Sequence, residues 1–251
     1  MNLPKISIII ATFNCDKTIR GSIESILVQD YLNYELIIVD GGSSDNTLNI
    51  INEYISYFKH KLIIISEPDY GIYDAWNKGL RVAQGSWISF IGGDDYFSIN
   101  AFNIYASAIN SNPSSNFVSS KCKLIDSEGN LIQIYGQLFT DKMFDYCVIA
   151  HVGSFHHHTL FLGNNFNIEY KISSDYDFLL RTFETINPIF VDQITCTVRD
   201  NGVSNRNILR VAMEKVLIKR KHNIYNFKGG FIDFAYTIGS FWFRKLSNFI
   251  K

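Results

Sequence analysis

The sequence predicts an α/β protein with a mostly parallel central sheet flanked by helices, followed by a C-terminal helical extension. Two observations lead to this prediction. First, β-branched runs alternate with segments whose apolar residues recur at helical spacing, which is typical of parallel strands joined by helical crossovers. Second, the last fifth of the chain combines helical periodicity with many basic and aromatic residues, which indicates a separate helical segment.

The first half of the chain repeats a strand, a short polar loop and a helix. The opening run KISIIIATF is continuous and β-branched, as expected of a strand buried on both faces. Further strands are predicted at residues 34–40, 62–66 and 87–91, and helices at residues 19–27, 48–58 and 72–83. Right-handed crossovers between them would make the strands parallel.

The pattern changes after residue 95. A helix at residues 101–109 precedes two β-like runs, residues 117–125 and 131–135, and the turn sequence SEGN between them predicts a hairpin. A capped helix is predicted to open at Ser173 and Ser174, and a strand at residues 189–198. Residues 205–222 show a basic helical pattern, and residues 227–249 are rich in aromatic residues.

Composition limits the class of protein. The chain has 251 residues, of which 47% are hydrophobic and 19% charged, so a disordered protein is excluded. Its four cysteines, at positions 15, 122, 147 and 196, form no C-x-x-C pair, and reduced thiols are expected rather than a disulfide framework or a zinc site. The N-terminus lacks a secretory apolar region, and no uncharged apolar run reaches the roughly 18 residues of a transmembrane helix.

The net charge of −1 hides an asymmetry. From Arg199 onward there are 11 Lys and Arg against 3 Asp and Glu, whereas residues 1–198 hold 12 against 21. Such a basic segment favours a negatively charged partner, with membrane phospholipid and nucleic acid as candidates. Its basic residues and the aromatic residues after them indicate either an interfacial membrane helix or a helix folded back on the preceding domain. The basic residues are Arg206, Arg210, Lys215, Lys219, Arg220 and Lys221.

Polar residues follow each of the four predicted strands of the first half. They are Thr12 and Asn14 after the first strand, Asp40 after the second, Glu67 and Asp69 after the third, and Asp94 and Asp95 after the fourth. The carboxyl ends of parallel strands open on one edge of the sheet, where ligands bind. The Asp94-Asp95 pair is therefore a candidate divalent-cation site, and the other residues are candidate ligand contacts. Each of them alternatively caps the helix that follows it.

Common nucleotide-binding motifs are absent from the first loop. It lacks G-x-G-x-x-G, which argues against a dinucleotide-binding protein, and the chain has no Walker loop, which argues against an ATPase or kinase. A sugar nucleotidyltransferase would share the carboxylates at the strand ends. That class normally shows a Gly-rich first loop with Arg or Lys, which the sequence ATFN does not match.

Several motifs in series resemble one known family. The opening IIIATFN, the loop VDGGSSDNT, the block EPDYGIYDAWNKGL with GSWISFIGGDD, and the later KISSDYDFLLR are similar to the inverting, nucleotide-sugar-dependent glycosyltransferases of family 2. The resemblance covers about residues 5–185 and implies the Rossmann-like GT-A fold. Within the family, the chain most resembles bacterial enzymes that build O-antigen and other surface polysaccharides.

The resemblance implies roles for individual residues. Thr12 and Asn14 would border the nucleotide, and Asp40 would contact its base, which is expected to be uracil. Asp94 and Asp95 would supply the ribose contact and bind Mg²⁺ or Mn²⁺. Asp175 would be the catalytic base, and His151 would lie near the acceptor. The residues His156, His157 and His158 are expected to line the acceptor cleft. A metal site there is disfavoured because successive strand residues point to opposite faces.

Two positions depart from the family pattern. The full D-x-D motif would have Asp at position 92, where this chain has Gly92. The family's Glu-Asp pair is Ser174-Asp175 here, which leaves Asp177 as an alternative base. The expected chemistry still needs these groups, because a divalent ion offsets the charge of the departing diphosphate and a carboxylate accepts the proton of the attacking hydroxyl.

The resulting expectation is a GT-A catalytic domain over residues 1–200, with a nucleotide-sugar half at about 1–97 and an acceptor half at about 98–200, and a basic, aromatic extension over 201–251. It would transfer a sugar, expected to be UDP-linked, to a lipid-linked oligosaccharide in bacterial surface polysaccharide assembly. We expect it in the cytoplasm, bound peripherally to the inner face of the anionic membrane, with no nucleic acid partner. A membrane-attached module that binds nucleotide sugar without turnover is the non-catalytic alternative.

Overall fold

A computed structural model describes residues 3–200, 202, 204, 207–225 and 227–249, with side chains throughout except at residues 227, 228 and 244–249. Arg206, part of the predicted basic segment, lies outside the described residues. The predicted α/β class is confirmed, because a central sheet with a parallel portion is flanked by helices and followed by two C-terminal helices.

The strands of the described chain form one sheet in the order β3-β2-β1-β4-β8-β6-β9-β5, with β7 paired to β6. Their bounds are β1 Ile6–Thr12, β2 Tyr34–Asp40, β3 Leu62–Ser66, β4 Trp87–Gly92, β5 Tyr96–Phe97, β6 Phe117–Ile125, β7 Leu131–Tyr135, β8 Ser154–His157 and β9 Pro188–Arg199. Strands β3, β2, β1 and β4 are parallel, and β8 joins β4 in the antiparallel sense. The predicted hairpin of β6 and β7 is confirmed.

Helices cover both faces of the sheet. Their bounds are α1 Ile19–Leu27, α2 Thr47–Glu53, α3 Ile55–Phe58, α4 Ile72–Val82, α5 Ala101–Ser111, α6 Ser174–Arg181, α7 Ile208–Lys221 and α8 Phe227–Phe249. Short 3₁₀ turns lie at Lys59–Lys61, Asp141–Phe144, His151–Gly153, His158–Phe161 and Phe183–Thr185. The single helix predicted at residues 48–58 is broken at Tyr54, which separates α2 from α3.

The core follows from the alternation of side chains along β1. Ile8 and Ile10 point to one face and pack with residues of α1 and α5, whereas Ile9 points to the other face and packs with residues of α4 and α6. Every residue of β1 and β2 is buried. Two apolar layers therefore clamp the parallel strands and fix where their carboxyl ends emerge.

Two further expectations from the sequence were wrong. Cys122 and Cys196 are joined in a disulfide, with their Cα atoms 5.0 Å apart on the adjacent strands β6 and β9. Their separation of 74 residues gave no sign of this pairing. The histidines of β8 do not line a cleft at the carboxyl ends, because His157 pairs with Trp87 at the start of β4 and His156 is fully buried.

The C-terminal helices pack against the domain by one face and expose the other. Lys219 is 2% exposed and forms an ion pair with Asp233 at 3.1 Å, and His222 Nε2 lies 3.1 Å from Asp177 Oδ1. The opposite face is apolar and more than half exposed, at Leu209, Met213 and Leu217 of α7 and Phe231, Ile232, Tyr236, Trp242 and Phe243 of α8. The segment is folded back on the preceding domain, as one of the two alternatives predicted, and its exposed face is apolar. Within the described residues, no helix is long and apolar enough to span a membrane.

Candidate active site

The carboxyl ends of the parallel strands lie side by side in register. Thr12 pairs with Asp40 across β1 and β2, and Ala11 pairs with Gly92 across β1 and β4. Asp40 in turn pairs with Ser66 at the end of β3. The polar residues that follow these strands therefore gather at one edge of the sheet, as the parallel order requires.

The loops after β1 and β2 are joined into one surface. Asn14 adopts a positive φ of 50°, its N–H donates to Ser43 Oγ at 2.8 Å, and its Oδ1 accepts from the Ser44 N–H at 2.9 Å. The Cys15 N–H donates to Thr47 Oγ1 at 2.8 Å. Asn14 thus holds the two loops together, and a ligand at this edge would meet both loops at once.

Asp40 lies beneath the second loop and is fully buried. Its Oδ2 accepts from the N–H groups of Gly42 and Ser43 at 3.1 and 3.0 Å and from Ser66 Oγ at 2.9 Å. The Ser43 hydroxyl donates to Oδ1. The carboxylate therefore sets the shape of the second loop, and its own oxygens face protein donors.

The third loop carries Glu67 and Asp69 in different environments. Glu67 is exposed and pairs at 3.0 Å with Lys78, a buried lysine that no pattern in the sequence indicated. Asp69 is half-buried, accepts from the Gly71 N–H at 2.8 Å, and has a pKa raised by burial. A Cβ at Gly41 would lie 2.5 Å from Asp69 Oδ2, so Asp69 packs directly over the backbone of the second loop.

Asp94 and Asp95 converge over Gly92 at the end of β4. A Cβ at Gly92 would lie 2.8 Å from Asp94 Oδ1 and 3.2 Å from Asp95 Oδ2, so the missing side chain leaves a small space bordered by both carboxylates. Asp95 is 7% exposed and accepts from the Gly92 N–H at 3.1 Å. Burial, and then the charge of Asp94, raises the pKa of Asp95 well above its ordinary value. Such a site favours a proton or a cation.

This carboxylate pair fits a divalent ion that completes its coordination with a ligand. In the part of the chain that the structure describes, no group of three or more His, Cys, Asp or Glu residues could hold a metal. Mg²⁺ and Mn²⁺ accept oxygen ligands, and Mg²⁺ is often bound by one or two carboxylates together with substrate phosphates. The hard oxygen donors of Asp94 and Asp95 match that pattern.

Asp175 lies in the first turn of α6, beside a buried tyrosine. The Tyr73 hydroxyl is 2.9 Å from Asp175 Oδ1 and 2.6 Å from the Ile172 carbonyl oxygen. Burial, and then the charge of Asp175, raises the pKa of Tyr73 well above its ordinary value, so the hydroxyl stays protonated and donates. The structure therefore gives Tyr73 a hydrogen bond to the candidate base.

His151 is buried next to the same region with its ring nitrogens unpaired. It stacks on Trp76 with ring centroids 5.2 Å apart and lies 5.9 Å from Phe90. Among the described residues, neither ring nitrogen of His151 nor the Trp76 Nε1 has a hydrogen-bond partner. Burial lowers the pKa of His151, against the opposing charge of Asp175, so the neutral imidazole is favoured. These polar atoms are therefore buried without a partner among the described residues, beside the candidate base.

One contact links the third loop to the segment that precedes Asp175. Lys171 Nζ donates to the Tyr70 carbonyl oxygen at 2.8 Å. The candidate base therefore belongs to the same connected edge as the residues after the first four strands.

Comparison with known proteins identifies the family. The family model described as glycosyl transferase family 2 matches residues 7–158, which include the strands and loops of the carboxylate edge. The chain belongs to glycosyl transferase family 2. The protein is therefore a glycosyltransferase, and its structural likeness to TarS, given below, confirms the GT-A fold expected from the resemblance.

One curated relative matches most of the chain and another matches a shorter part of it. A PGL/p-HBAD biosynthesis glycosyltransferase of Mycobacterium tuberculosis is 30% identical over 223 residues, 88% of this chain and 85% of that protein. The UDP-Glc:alpha-D-GlcNAc-diphosphoundecaprenol beta-1,3-glucosyltransferase WfaP of Escherichia coli is 43% identical over 94 residues, 37% of this chain and 36% of its own. TarS 1–349 of S. aureus, solved with UDP, shares the fold with a TM-score of 0.68 at 20% identity, covering 85% of this chain and 65% of that chain.

The departures from the family 2 pattern have structural counterparts. Gly92 stands where the D-x-D motif would begin, and its missing Cβ is the space into which Asp94 and Asp95 turn. Asp177, the alternative base, is fully buried, with Oδ2 at 2.9 Å from Arg181 Nε and Oδ1 at 3.1 Å from His222 Nε2. Asp177 therefore ties α6 to the C-terminal helices, whereas Asp175 remains half-buried beside Tyr73.

Proposed function

We propose that this glycosyltransferase moves a sugar, with inversion, from a UDP-sugar to a lipid-linked oligosaccharide during assembly of a bacterial surface polysaccharide. The observation that carries the proposal is the division of acidic groups between two roles. Asp94 and Asp95 converge over Gly92 at the end of β4, whereas Asp175 lies in the first turn of α6 with a hydrogen bond from Tyr73. Inverting transfer needs both a charge-stabilising group and a base.

The donor would bind along the carboxyl edge formed by the first three loops. Thr12 and Asn14 would border the nucleotide, and Asp40 would act by holding the loop that meets the base. Glu67 and Asp69 would lie on the far side of the same pocket. Support for a UDP donor comes from the name of WfaP and from TarS, which was solved with UDP.

Mg²⁺ or Mn²⁺ would be held by Asp94 and Asp95. When bound, it supplies Lewis-acid stabilisation of the negative charge that forms on the departing nucleoside diphosphate. The raised pKa of Asp95 supports this assignment, because a buried carboxyl beside a second carboxylate is stabilised in its charged form by a cation. The fit rests on oxygen donors alone, which suits both ions.

Asp175 would accept the proton of the acceptor hydroxyl as that oxygen attacks the anomeric carbon. Its carboxylate has one hydrogen bond from Tyr73, which orients it and leaves the second oxygen for the acceptor. His151, buried and neutral beside it, would contact the acceptor sugar through an unpaired ring nitrogen. A direct displacement of this kind forms no covalent intermediate and inverts the anomeric configuration.

A lipid-linked acceptor would bring the protein to the inner face of the cytoplasmic membrane. The relative WfaP acts, by its name, on a diphosphoundecaprenol-linked sugar. The exposed apolar face of α7 and α8, with the basic residues Arg210 and Arg220 nearby on α7, has the composition of an interfacial helix pair. We propose that this face rests on the anionic lipid surface while the opposite face packs on the catalytic domain.

The test is calorimetric titration of the purified protein with UDP and with GDP, each with and without Mn²⁺. Binding of UDP that requires Mn²⁺ is expected. Preference for GDP would keep the reaction class but change the donor, and binding of neither would favour a module without turnover. Asp175→Asn should then retain UDP binding and lose transfer from UDP-glucose to GlcNAc-diphosphoundecaprenol, and an active variant would refute the assignment of the base.

A further inference from the structure

A carboxylate of the C-terminal helix α7 binds the backbone segment that precedes α6. Glu214 is 5% exposed, and its Oε1 accepts from the Lys171 N–H at 2.8 Å. Its Oε2 accepts from the N–H groups of Ile172 and Ser173, both at 2.9 Å. Three successive backbone donors, 41 to 43 residues away in sequence, therefore converge on one buried carboxylate.

This contact supplies the start of α6 with an acceptor that its own sequence does not provide. Ser173 is the N-cap residue of α6, yet its own side chain makes no capping hydrogen bond. Backbone N–H groups buried before a helix need acceptors, and a negative charge near a helix N-terminus is favourable. Glu214 meets both needs from a different helix.

The segment held by Glu214 also positions the candidate base. The Ile172 carbonyl oxygen lies 2.6 Å from the Tyr73 hydroxyl, which is the group that bonds Asp175 Oδ1 at 2.9 Å. On the other side, Lys171 Nζ bonds the carbonyl of the third loop at 2.8 Å. A shift of residues 171–173 would therefore move the partner of Tyr73, the first turn of α6 and the link to the donor loop together.

We propose that Glu214 is a positioning residue for the transfer reaction, which fixes residues 171–173 and through them the geometry of Tyr73 and Asp175. It touches neither donor nor acceptor in this proposal and acts only through the segment that it binds. The inference rests on the proposed role of Asp175 as the base. It makes α7 a part of the catalytic unit in addition to its proposed contact with lipid.

The test compares Glu214→Gln with the control Arg210→Gln in the full chain. Arg210 Nε lies 3.1 Å from Glu214 Oε1 and its side chain is 56% exposed, so its loss removes a neighbour of the carboxylate without touching the three backbone donors. In Glu214→Gln one carboxylate oxygen is replaced by an NH₂ group, which cannot accept a hydrogen bond from the backbone N–H groups of residues 171–173. Hydrogen exchange of the amides of residues 171–173 is expected to accelerate in Glu214→Gln and to stay as in the wild type in Arg210→Gln.

Kinetics with UDP-glucose and GlcNAc-diphosphoundecaprenol supply a second readout. Displacement of a catalytic group by about 1 Å lowers the rate on the order of 10²-fold, so kcat should fall by that factor in Glu214→Gln while the donor KM changes by less than about threefold. A merely structural role would lower activity only in proportion to the folded fraction. Tyr73→Phe combined with Glu214→Gln should show a non-additive loss, because both act through one chain of contacts.

The exchange readout needs no substrate and decides the proposal where turnover is slow. Unchanged exchange of residues 171–173 in Glu214→Gln would overturn it, as would an additive double mutant or a kcat equal to that of the wild type. Asp175→Asn separates the two levels of inference. An active Asp175→Asn refutes the proposed base, whereas an inactive Asp175→Asn with a fully active Glu214→Gln refutes only the positioning role.

Discussion

Replacing Asp95 by asparagine should stabilise the metal-free protein at neutral pH while abolishing its metal-dependent binding of UDP. Burial and the charge of Asp94 raise the pKa of Asp95 in the folded state well above its ordinary value. The pKa of aspartate in an unfolded chain is ~3.9. At pH 7, the raised pKa of Asp95 therefore lowers the free energy of unfolding by at most about 4 kcal/mol. Asparagine removes that cost, and its side-chain oxygen can still accept from the Gly92 N–H.

The sign of the effect with pH distinguishes this explanation from a general change in packing. A carboxyl whose pKa is raised on folding costs nothing below its unfolded pKa, and the cost grows as pH rises toward the folded value. The stability advantage of Asp95→Asn should therefore increase from pH 5 to pH 7, by up to about 1.4 kcal/mol per pH unit. In a protein of this size 1 kcal/mol corresponds to about 2–4 °C in the unfolding midpoint.

Urea unfolding in buffer with EDTA, followed between pH 5 and pH 7.5, measures this difference directly. Asp126→Asn is the matched control, because hydrogen bonds from Asn130 and from nearby backbone groups lower the pKa of that exposed carboxyl. Both its folded and its unfolded pKa lie below this range, so Asp126→Asn should be less stable than the wild type by an amount that does not change between pH 5 and pH 7.5. Addition of UDP and Mn²⁺ should stabilise the wild type but not Asp95→Asn. A variant that is less stable than the wild type at every pH, or that still gains stability from Mn²⁺ and UDP, would refute the reasoning.

Three further substitutions test other parts of the structure. Gly92→Asp restores the D-x-D motif of the family in sequence. It should nevertheless weaken Mn²⁺-dependent UDP binding measured by calorimetry, because the new Cβ would lie 2.8 Å from Asp94 Oδ1. Unchanged or tighter binding would contradict this prediction. Lys219→Ala should lower the free energy of unfolding, measured in urea, by about 2–3 kcal/mol, because it leaves the carboxylate of Asp233, which is only 16% exposed, without its ion-pair partner. A loss smaller than the error of the fit would contradict this prediction. Leu217→Glu should weaken sedimentation with anionic liposomes while the equally exposed control Leu131→Glu does not, and equal effects would exclude the α7 face as the contact.

The fold could be predicted because each element of the first half is a local pattern. A window of about ten residues is enough to predict β1 from its β-branched run and α1 from its helical spacing. The alternation of strands and helices then predicts crossover connections and parallel strands. The disulfide between Cys122 and Cys196 could not be predicted in this way. It depends on the parallel pairing of β6 with β9, which no local pattern specifies.

The sequence predicted where the candidate site lies better than it predicted what each of its side chains does. The sequence selects Asn14 and Asp40 because polar residues at strand ends face ligands, but the structure uses both side chains to build the loops. Asp175 and Asp177 have similar local surroundings in sequence, and only the partners from α7 and the segment after it distinguish them. Lys78 and Glu214 gave no usable signal, because a single charged residue on a helix is most often solvent-exposed.

The two faces of α7 connect the proposed lipid contact with the segment that carries the proposed base. Leu209, Met213 and Leu217 are more than half exposed on one face, whereas Glu214 on the other is buried against residues 171–173. A rigid helix transmits a tilt at one face to the other, so contact with a lipid surface would bear on the segment that holds Asp175. Turnover measured with acceptor in liposomes and in detergent should therefore differ in kcat, and this difference should disappear in Glu214→Gln, where the connection is broken.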